Sequence, residues 1–263
     1  MELMVQGQPS FLYTGGKPLT PGLPAIVFIH GAQQDHSCWN LLARWFAHHG
    51  WAVMAPDLPA HGRSHGRPLA SIETMSDWIV TLMDIAGIQA AALVGHSMGS
   101  LIAMETGLRH ADRVSRLALI GSSLPMSVSP ALLDAAWHDE AKARAMVNAF
   151  SFSAAAQMGG NRVPGMWMLG VNQRLMARQR PGVFGPDMNA CNAYARPIAD
   201  LAAIQKPTLI IAGDQDRMTP AKASRAIAAA IPGAELRVLQ AAGHSVMAEQ
   251  PDGVLAALRE FLA

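Results

Sequence analysis

Five residues constrain this chain more than any others: Gly95-His96-Ser97-Met98-Gly99, set directly behind the apolar run Ala90-Ala91-Ala92-Leu93-Val94. The run reads as a buried strand, and residues 100–110 after it read as a helix. Gly-x-Ser-x-Gly therefore falls on the turn between the two. A turn this tight leaves no room for side chains at Gly95 and Gly99. The serine is held clear of the backbone at the start of the helix, as a nucleophile elbow requires. Free N–H groups there favour developing negative charge.

Composition excludes several other classes. A chain of 263 residues is long enough to bury about three quarters of its unfolded surface around one large core. Apolar residues make up 51% and charged residues 15%, which fits a soluble globular protein. A net charge of +1, with Lys and Arg scattered, offers no field for nucleic acid or for an anionic membrane. The first residues show no basic segment followed by an apolar one, so no signal peptide is expected. No apolar run nears the roughly 20 residues that cross a bilayer. Cys38 and Cys191 make neither a disulfide framework nor a zinc site. They read as reduced thiols of a cytoplasmic protein; a catalytic thiol at Cys38 is the sharper alternative.

Strands and helices alternate through the first half. Residues 3–6 and 10–14 suggest a hairpin, and 25–29, 51–55, 90–94 and 117–120 suggest strands. Helical spacing marks 38–49 (Leu41, Leu42, Trp45, Phe46) and 74–85 (Met75, Trp78, Ile79, Leu82). Such alternation predicts a mostly parallel sheet with helices on both faces. After Pro125 the pattern changes. Residues 126–200 hold helix-like stretches at 130–150, 166–178 and 188–194, with many methionines and no convincing strand. The Gly- and Pro-rich segments 159–165 and 181–186 read as bends. A sheet then resumes with strands at 207–212 and 235–239 and helices at 221–230 and 253–262. The expected organisation is a core of residues 1–125 and 201–263, with 126–200 a helical insertion.

A serine hydroxyl needs a base within hydrogen-bonding reach, usually a histidine oriented by a carboxylate. Two later strand ends supply these groups. Gly213-Asp214-Gln215-Asp216 follows one strand, and Gly243-His244 follows the next. The order Ser…Asp…His is known for this geometry.

With these motifs the chain resembles an α/β-hydrolase-fold enzyme with a helical cap. The resemblance rests on His30-Gly31, on Asp57-Leu58-Pro59-Ala60-His61-Gly62-Arg63-Ser64, on the elbow, on Gly213 to Asp216 with Thr219-Pro220, and on Gly243-His244. It implies catalytic Ser97, Asp216 and His244, with Asp214 the competing carboxylate. The backbone N–H groups of Ala32 and Met98 would form the oxyanion hole. His30 would tie down the oxyanion loop, and His96 would pack behind the elbow. Asp57 would fix its own loop. His61 and His65 are spaced for a metal but lack companion ligands, so no metal and no cofactor are expected. Trp137, Met166, Trp167, Met168 and Met188 are the expected substrate-binding residues of the cap, suited to a small molecule with an apolar group.

Serine at the nucleophile position separates the chain from haloalkane dehalogenases and epoxide hydrolases, which carry aspartate there. The loop His30-Gly31-Ala32-Gln33-Gln34 lacks the His-Gly-Gly-Pro-Gly of prolyl iminopeptidases. Carbon–carbon hydrolases of ring-cleavage pathways usually carry a small polar residue after His-Gly and tryptophan after the triad histidine. Ala32 and Ser245 stand there instead. The resemblance therefore favours hydrolysis of a small carboxylic ester through an acyl-serine. Enol-lactone, thioester and carbon–carbon substrates use the same machinery and stay open. A non-catalytic ligand receptor is the alternative of another class, and the full set Ser97, Asp216 and His244 argues against it.

Overall fold

A computed structural model describes residues 1–160 and 165–263. Eight strands form one sheet in the order β1-β2-β4-β3-β5-β6-β7-β8. They are β1 (Glu2–Val5), β2 (Gln8–Tyr13), β3 (Ala25–Ile29), β4 (Ala52–Pro56), β5 (Ala91–His96), β6 (Val114–Ile120), β7 (Thr208–Gly213) and β8 (Glu235–Leu239). The β1–β2 hairpin is antiparallel and joins β4 antiparallel; every other pairing is parallel. This is the mostly parallel α/β sheet that the alternating pattern predicts.

The central strands are buried on both faces, and their side chains alternate between two cores. Val27, Ile29, Leu93, Leu117, Leu119 and Ile210 pack against α2 (Ile72–Ile85) and α3 (Met98–Arg109). Ile26, Phe28, Val94, Ala118, Ile120 and Ile211 pack against α1 (Asn40–Ala47) on the other side. Because strands β3 to β8 run parallel, their C-terminal ends share one edge. The loops after Ile29, His96, Gly213 and Leu239 meet there, as ligand sites in open α/β sheets do.

Between β6 and β7 lie α4 (Pro130–His138), α5 (Glu140–Ser151), α6 (Ala154–Gln157), α7 (Met168–Ala177) and α8 (Phe184–Ala193). Two expectations change here. The stretch 130–150 is two helices rather than one. Asp139 leaves helical geometry and caps α5, accepting from the Lys142 N–H at 3.0 Å. Residues 181–186 are only partly a bend, because α8 begins at Phe184. Pro186 sits in its first turn, where a missing N–H costs nothing. The four-residue α6 has no periodic signal of its own. After β7 follow α9 (Ala221–Ala230), α10 (Val246–Glu249) and α11 (Pro251–Leu262). Among the described residues no helix is long and apolar enough to cross a membrane.

Charged contacts fasten the insertion to the core. Arg178 makes a forked contact with buried Asp35, at 2.8 and 2.6 Å. The Gln179 side chain donates to Asp35 at 2.9 Å and accepts from the Gly62 N–H at 2.7 Å.

Candidate active site

Ser97 alone links β5 to α3, with φ +54 and ψ −119. This is left-handed backbone that a non-glycine residue rarely adopts. A Cβ on Gly95 would stand 2.0 Å from the Gly99 carbonyl oxygen, and one on Gly99 would stand 2.1 Å from that of Ile29. Both glycines are therefore required by close backbone approach. The strained residue is held from both sides. Its N–H donates to the Ile120 carbonyl at 2.9 Å, and the Ser100 hydroxyl donates to its carbonyl at 2.6 Å.

His244 and Asp216 come from the loops after β8 and β7. His244 Nδ1 lies 2.8 Å from Asp216 Oδ2, so Nδ1–H donates and Nε2 is left as the basic nitrogen. The Thr219 hydroxyl donates to the same carboxylate oxygen at 2.7 Å, and the N–H groups of Met218 and Thr219 donate to Oδ1 at 2.8 Å each. Burial alone raises the Asp216 carboxyl pKa. The His244 charge and these hydrogen bonds outweigh it and leave the pKa lowered. Asp214 is exposed and accepts from the Ala242 N–H at 3.2 Å, which shapes the turn. Of these two carboxylates, only Asp216 meets His244. Ser97 and His244 line one pocket.

His96 has a further part that its place beside Ser97 only hints at. Its Nε2–H donates to the His244 carbonyl at 2.9 Å and steadies that loop. Burial, then the nearby His244, lowers its pKa to about 3.

The loop after β3 is fixed peptide by peptide. His30 Nε2 accepts from the Leu58 N–H at 3.1 Å. The proton is thus on Nδ1, which donates to the Gly31 carbonyl at 2.8 Å. That carbonyl belongs to the same peptide as the Ala32 N–H. Burial, then the charge of His61, lowers the His30 pKa to about 4 and keeps the ring in this neutral form. Among the described residues the Ala32 N–H has no protein acceptor. Met98 opens α3, so its N–H has no intrahelical acceptor.

Of the five expected substrate-binding residues, only Met188 lines the Ser97 pocket. The insertion's other walls are Val147, Ser151, Asn172 and Met176. Asn172 and Met176 follow Met168 at intervals of four on one face of α7, a spacing that the sequence displayed. Trp137 is a correction. It is exposed, and its indole covers Gly185 of α8, where an added Cβ would come within 2.4 Å of the ring. The buried face of α4 is Ala135 and Ala136, which leaves Trp137 at the rim. Met168 is buried against Phe152 and Ala156. Met166 and Trp167 are exposed. These three border a separate groove, which shares Gln34, Asn172 and Ser245 with the Ser97 pocket. Amphipathic spacing identifies an apolar face, but not which of two neighbouring hollows that face covers.

The remaining candidate groups are committed elsewhere. Asp57 accepts from the N–H groups of His36 and Arg63, at 2.8 and 2.9 Å, and so fixes its loop. Asp35, His36 and Asp57 form a cluster with metal-ligating atoms within 4.8 Å of one another, but their carboxylates already hold Arg178, Gln179, His36 and backbone N–H groups. Cys38 and Cys191 are unpaired. Burial, then the charge of Asp35, pushes the Cys38 thiol pKa well up, opposite to what a nucleophilic thiol needs.

Known proteins share this fold. Residues 24–251 match the family model of the alpha/beta hydrolase fold. The chain is 29% identical over 270 residues to 2-hydroxymuconate semialdehyde hydrolase of Pseudomonas putida, covering 98% of this chain and 88% of that protein. It is 28% identical to the pimeloyl-[acyl-carrier protein] methyl ester esterase of Chromobacterium violaceum, over 91% of this chain and 94% of that one. The enol-lactonase structure from Burkholderia xenovorans superposes with a TM-score of 0.89 at 24% identity, covering 100% and 99% of the two chains. With a family model matched over residues 24–251, most of its length, this chain belongs to the α/β-hydrolase fold family.

Proposed function

We propose that this chain is a serine hydrolase that cleaves a small carboxylic ester through an acyl-serine intermediate. One observation carries the reading: His244, hydrogen-bonded to buried Asp216, faces the same pocket as Ser97 on a strained elbow. Ser97 Oγ attacks the ester carbonyl carbon while its proton passes to His244 Nε2. The oxyanion accepts from the N–H groups of Ala32 and Met98. As the carbon–oxygen bond breaks, His244 gives the proton to the departing alkoxide. Water then attacks the acyl-serine, its proton taken by His244, and Ser97 recovers its proton as the acid leaves. No cofactor takes part.

The insertion, residues 126–200, acts as the cap. The hollow at Ser97 offers only about 30 Å³, whereas the neighbouring groove offers about 870 Å³. This supports a substrate with a small group at the elbow and an apolar arm along Met166, Trp167 and Met168. The unpaired thiols support a reducing compartment such as the cytoplasm.

A second reading, cleavage of an enol-lactone or a carbon–carbon bond, is favoured by the likeness to a 2-hydroxymuconate semialdehyde hydrolase. Residues Ala32 and Ser245 weigh against the carbon–carbon case. A panel of p-nitrophenyl esters of rising acyl length, run beside an enol-lactone and a ring-cleavage dienoate, separates the readings. A fluorophosphonate should add one group, at Ser97. Labelling that persists in Ser97→Ala would refute the assignment.

A further inference from the structure

Asp187 lies on the insertion, yet its side chain reaches the oxyanion loop of the core. Its Oδ2 accepts from the Gln33 N–H at 2.8 Å. The same oxygen lies 2.9 Å from His61 Nε2. Gln33, His61 and Asp187 are each at most 1% exposed, so water does not compete for these bonds. The other His61 nitrogen, Nδ1, lies 3.0 Å from the Pro59 carbonyl. Both ring nitrogens thus face acceptors, which only the doubly protonated imidazolium satisfies. Burial opposes that charge, but the Asp187 charge and hydrogen bond prevail and raise the His61 pKa. The Gln33 N–H therefore meets a charged acceptor, which makes a stronger hydrogen bond than a neutral one does.

The target of this contact is what matters. Gln33 is held at φ +56, a conformation that costs a non-glycine residue energy and persists only when its surroundings impose it. The Gln33 N–H belongs to the peptide that follows Ala32. His30 fixes the peptide before Ala32 and Asp187 fixes the one after it. Rotation about Ala32 would swing its N–H away from the pocket, and these two bonds oppose it. Among the described residues Asp187 Oδ1 is buried without a hydrogen-bond partner, a cost that simple fastening of the insertion does not require.

We propose that Asp187 is a positioning residue: from the cap it sets the Ala32 N–H in the geometry that receives the oxyanion. This rests on the acyl-transfer reading of the site. It makes turnover depend on the cap being seated, because a core without the cap would lack one of the two bonds.

The test compares turnover of a p-nitrophenyl ester with inhibition by a trifluoromethyl ketone, whose serine adduct carries an oxyanion. Asp187→Ala should lower kcat by about 10- to 100-fold, within the range for a displaced oxyanion donor, and change KM less than threefold. Affinity for the trifluoromethyl ketone should fall by the same factor as kcat/KM. Asp187→Asn keeps an oxygen for Gln33 and should recover most of the loss. Val183 is the buried residue that caps the start of the same helix, and Val183→Ala, which loosens that start, should leave kcat within threefold. Should Asp187→Ala fail to fold, Asp187→Glu replaces it with the same expected loss, since it keeps a charge for His61 but moves the acceptor oxygens. A loss confined to KM, an unchanged inhibitor affinity, or an equal loss in Val183→Ala would overturn the proposal. A wild-type chain inert to every ester and to the ketone would instead overturn the acyl-transfer reading, and the positioning role with it.

Discussion

Asp216 Oδ2 stands 2.8 Å from His244 Nδ1, while Asp214, two residues earlier, points to a backbone N–H of the turn. Asp216→Asn should therefore keep the fold and lower kcat by several orders of magnitude, because an amide no longer selects the tautomer with a basic Nε2. Asp214→Asn should cost less than about tenfold. Steady-state ester kinetics on both variants, with circular dichroism as the folding check, decides the matter. A reversed ranking would assign the carboxylate to Asp214.

Thr219 shares the Asp216 oxygen and also lies 3.0 Å from His244 Nδ1. Thr219→Val removes the donor and keeps the shape. A lost hydrogen bond to a charged group is worth about 1.5–3 kcal/mol, so kcat should fall by roughly 10- to 100-fold if the bond matters as much to the His–Asp pair as to the fold. Thr219→Ser should retain activity. Equal kcat in the valine and serine variants would show the hydroxyl to be dispensable.

Two buried histidines set an acid limit on stability. His30 and His96 have pKa values lowered to about 4 and about 3. As pH falls below about 6.5 the unfolded chain takes up these protons and the folded chain does not, so stability drops between pH 6.5 and the folded values. For His30 the shift corresponds to about 3 kcal/mol. His61 acts with the opposite sign: its raised pKa adds stability that is complete below about pH 6.5 and is lost as pH rises through its folded value. Urea denaturation at pH 7 and pH 4.5 should show a net loss at the lower pH, and the loss should shrink in His96→Gln. An equal drop in that variant would exclude His96 as a source.

The pocket walls make a graded prediction. Met176→Ala and Met188→Ala open the hollow beside Ser97 and should change relative kcat/KM between short and long acyl chains by about three- to thirtyfold, within what a few methylenes are worth. Trp137→Ala should leave the chain-length profile unchanged, since its ring covers Gly185 outside that pocket. A changed profile in Trp137→Ala with none in the methionine variants would place the acyl site elsewhere.

The elbow predicts a stability effect independent of any substrate. Gly95→Ala and Gly99→Ala each press a methyl group to about 2 Å from a backbone carbonyl, and backbone has no side-chain rotamer with which to yield. Neither variant should accumulate as folded protein. A soluble, cooperatively melting Gly99→Ala would contradict the close approach of α3 to the strand end at Ile29.

Local physics made much of this legible in advance. The period of two in a strand sends successive buried side chains of Ala25–Ile29 and Ala91–His96 into two different cores, and the elbow follows from two glycines around a serine between a strand and a helix. The same reasoning misses Asp139 as a helix break and reads residues 181–186 wholly as a bend, because both depend on one residue at a helix terminus. Contacts across the chain had no local signal at all. Asp187 meets Gln33 across 154 residues and His61 across 126, and Trp137 differs from Met188 only in where its helix face comes to rest. Residue types and spacing thus determined the sheet, the motif order and the residues able to do the chemistry. Only tertiary packing decided which side chains of residues 126–200 line the Ser97 pocket and which carboxylate holds the Gln33 N–H, since hydrogen bonds and apolar contacts act over a few ångströms in space, whatever their distance along the chain.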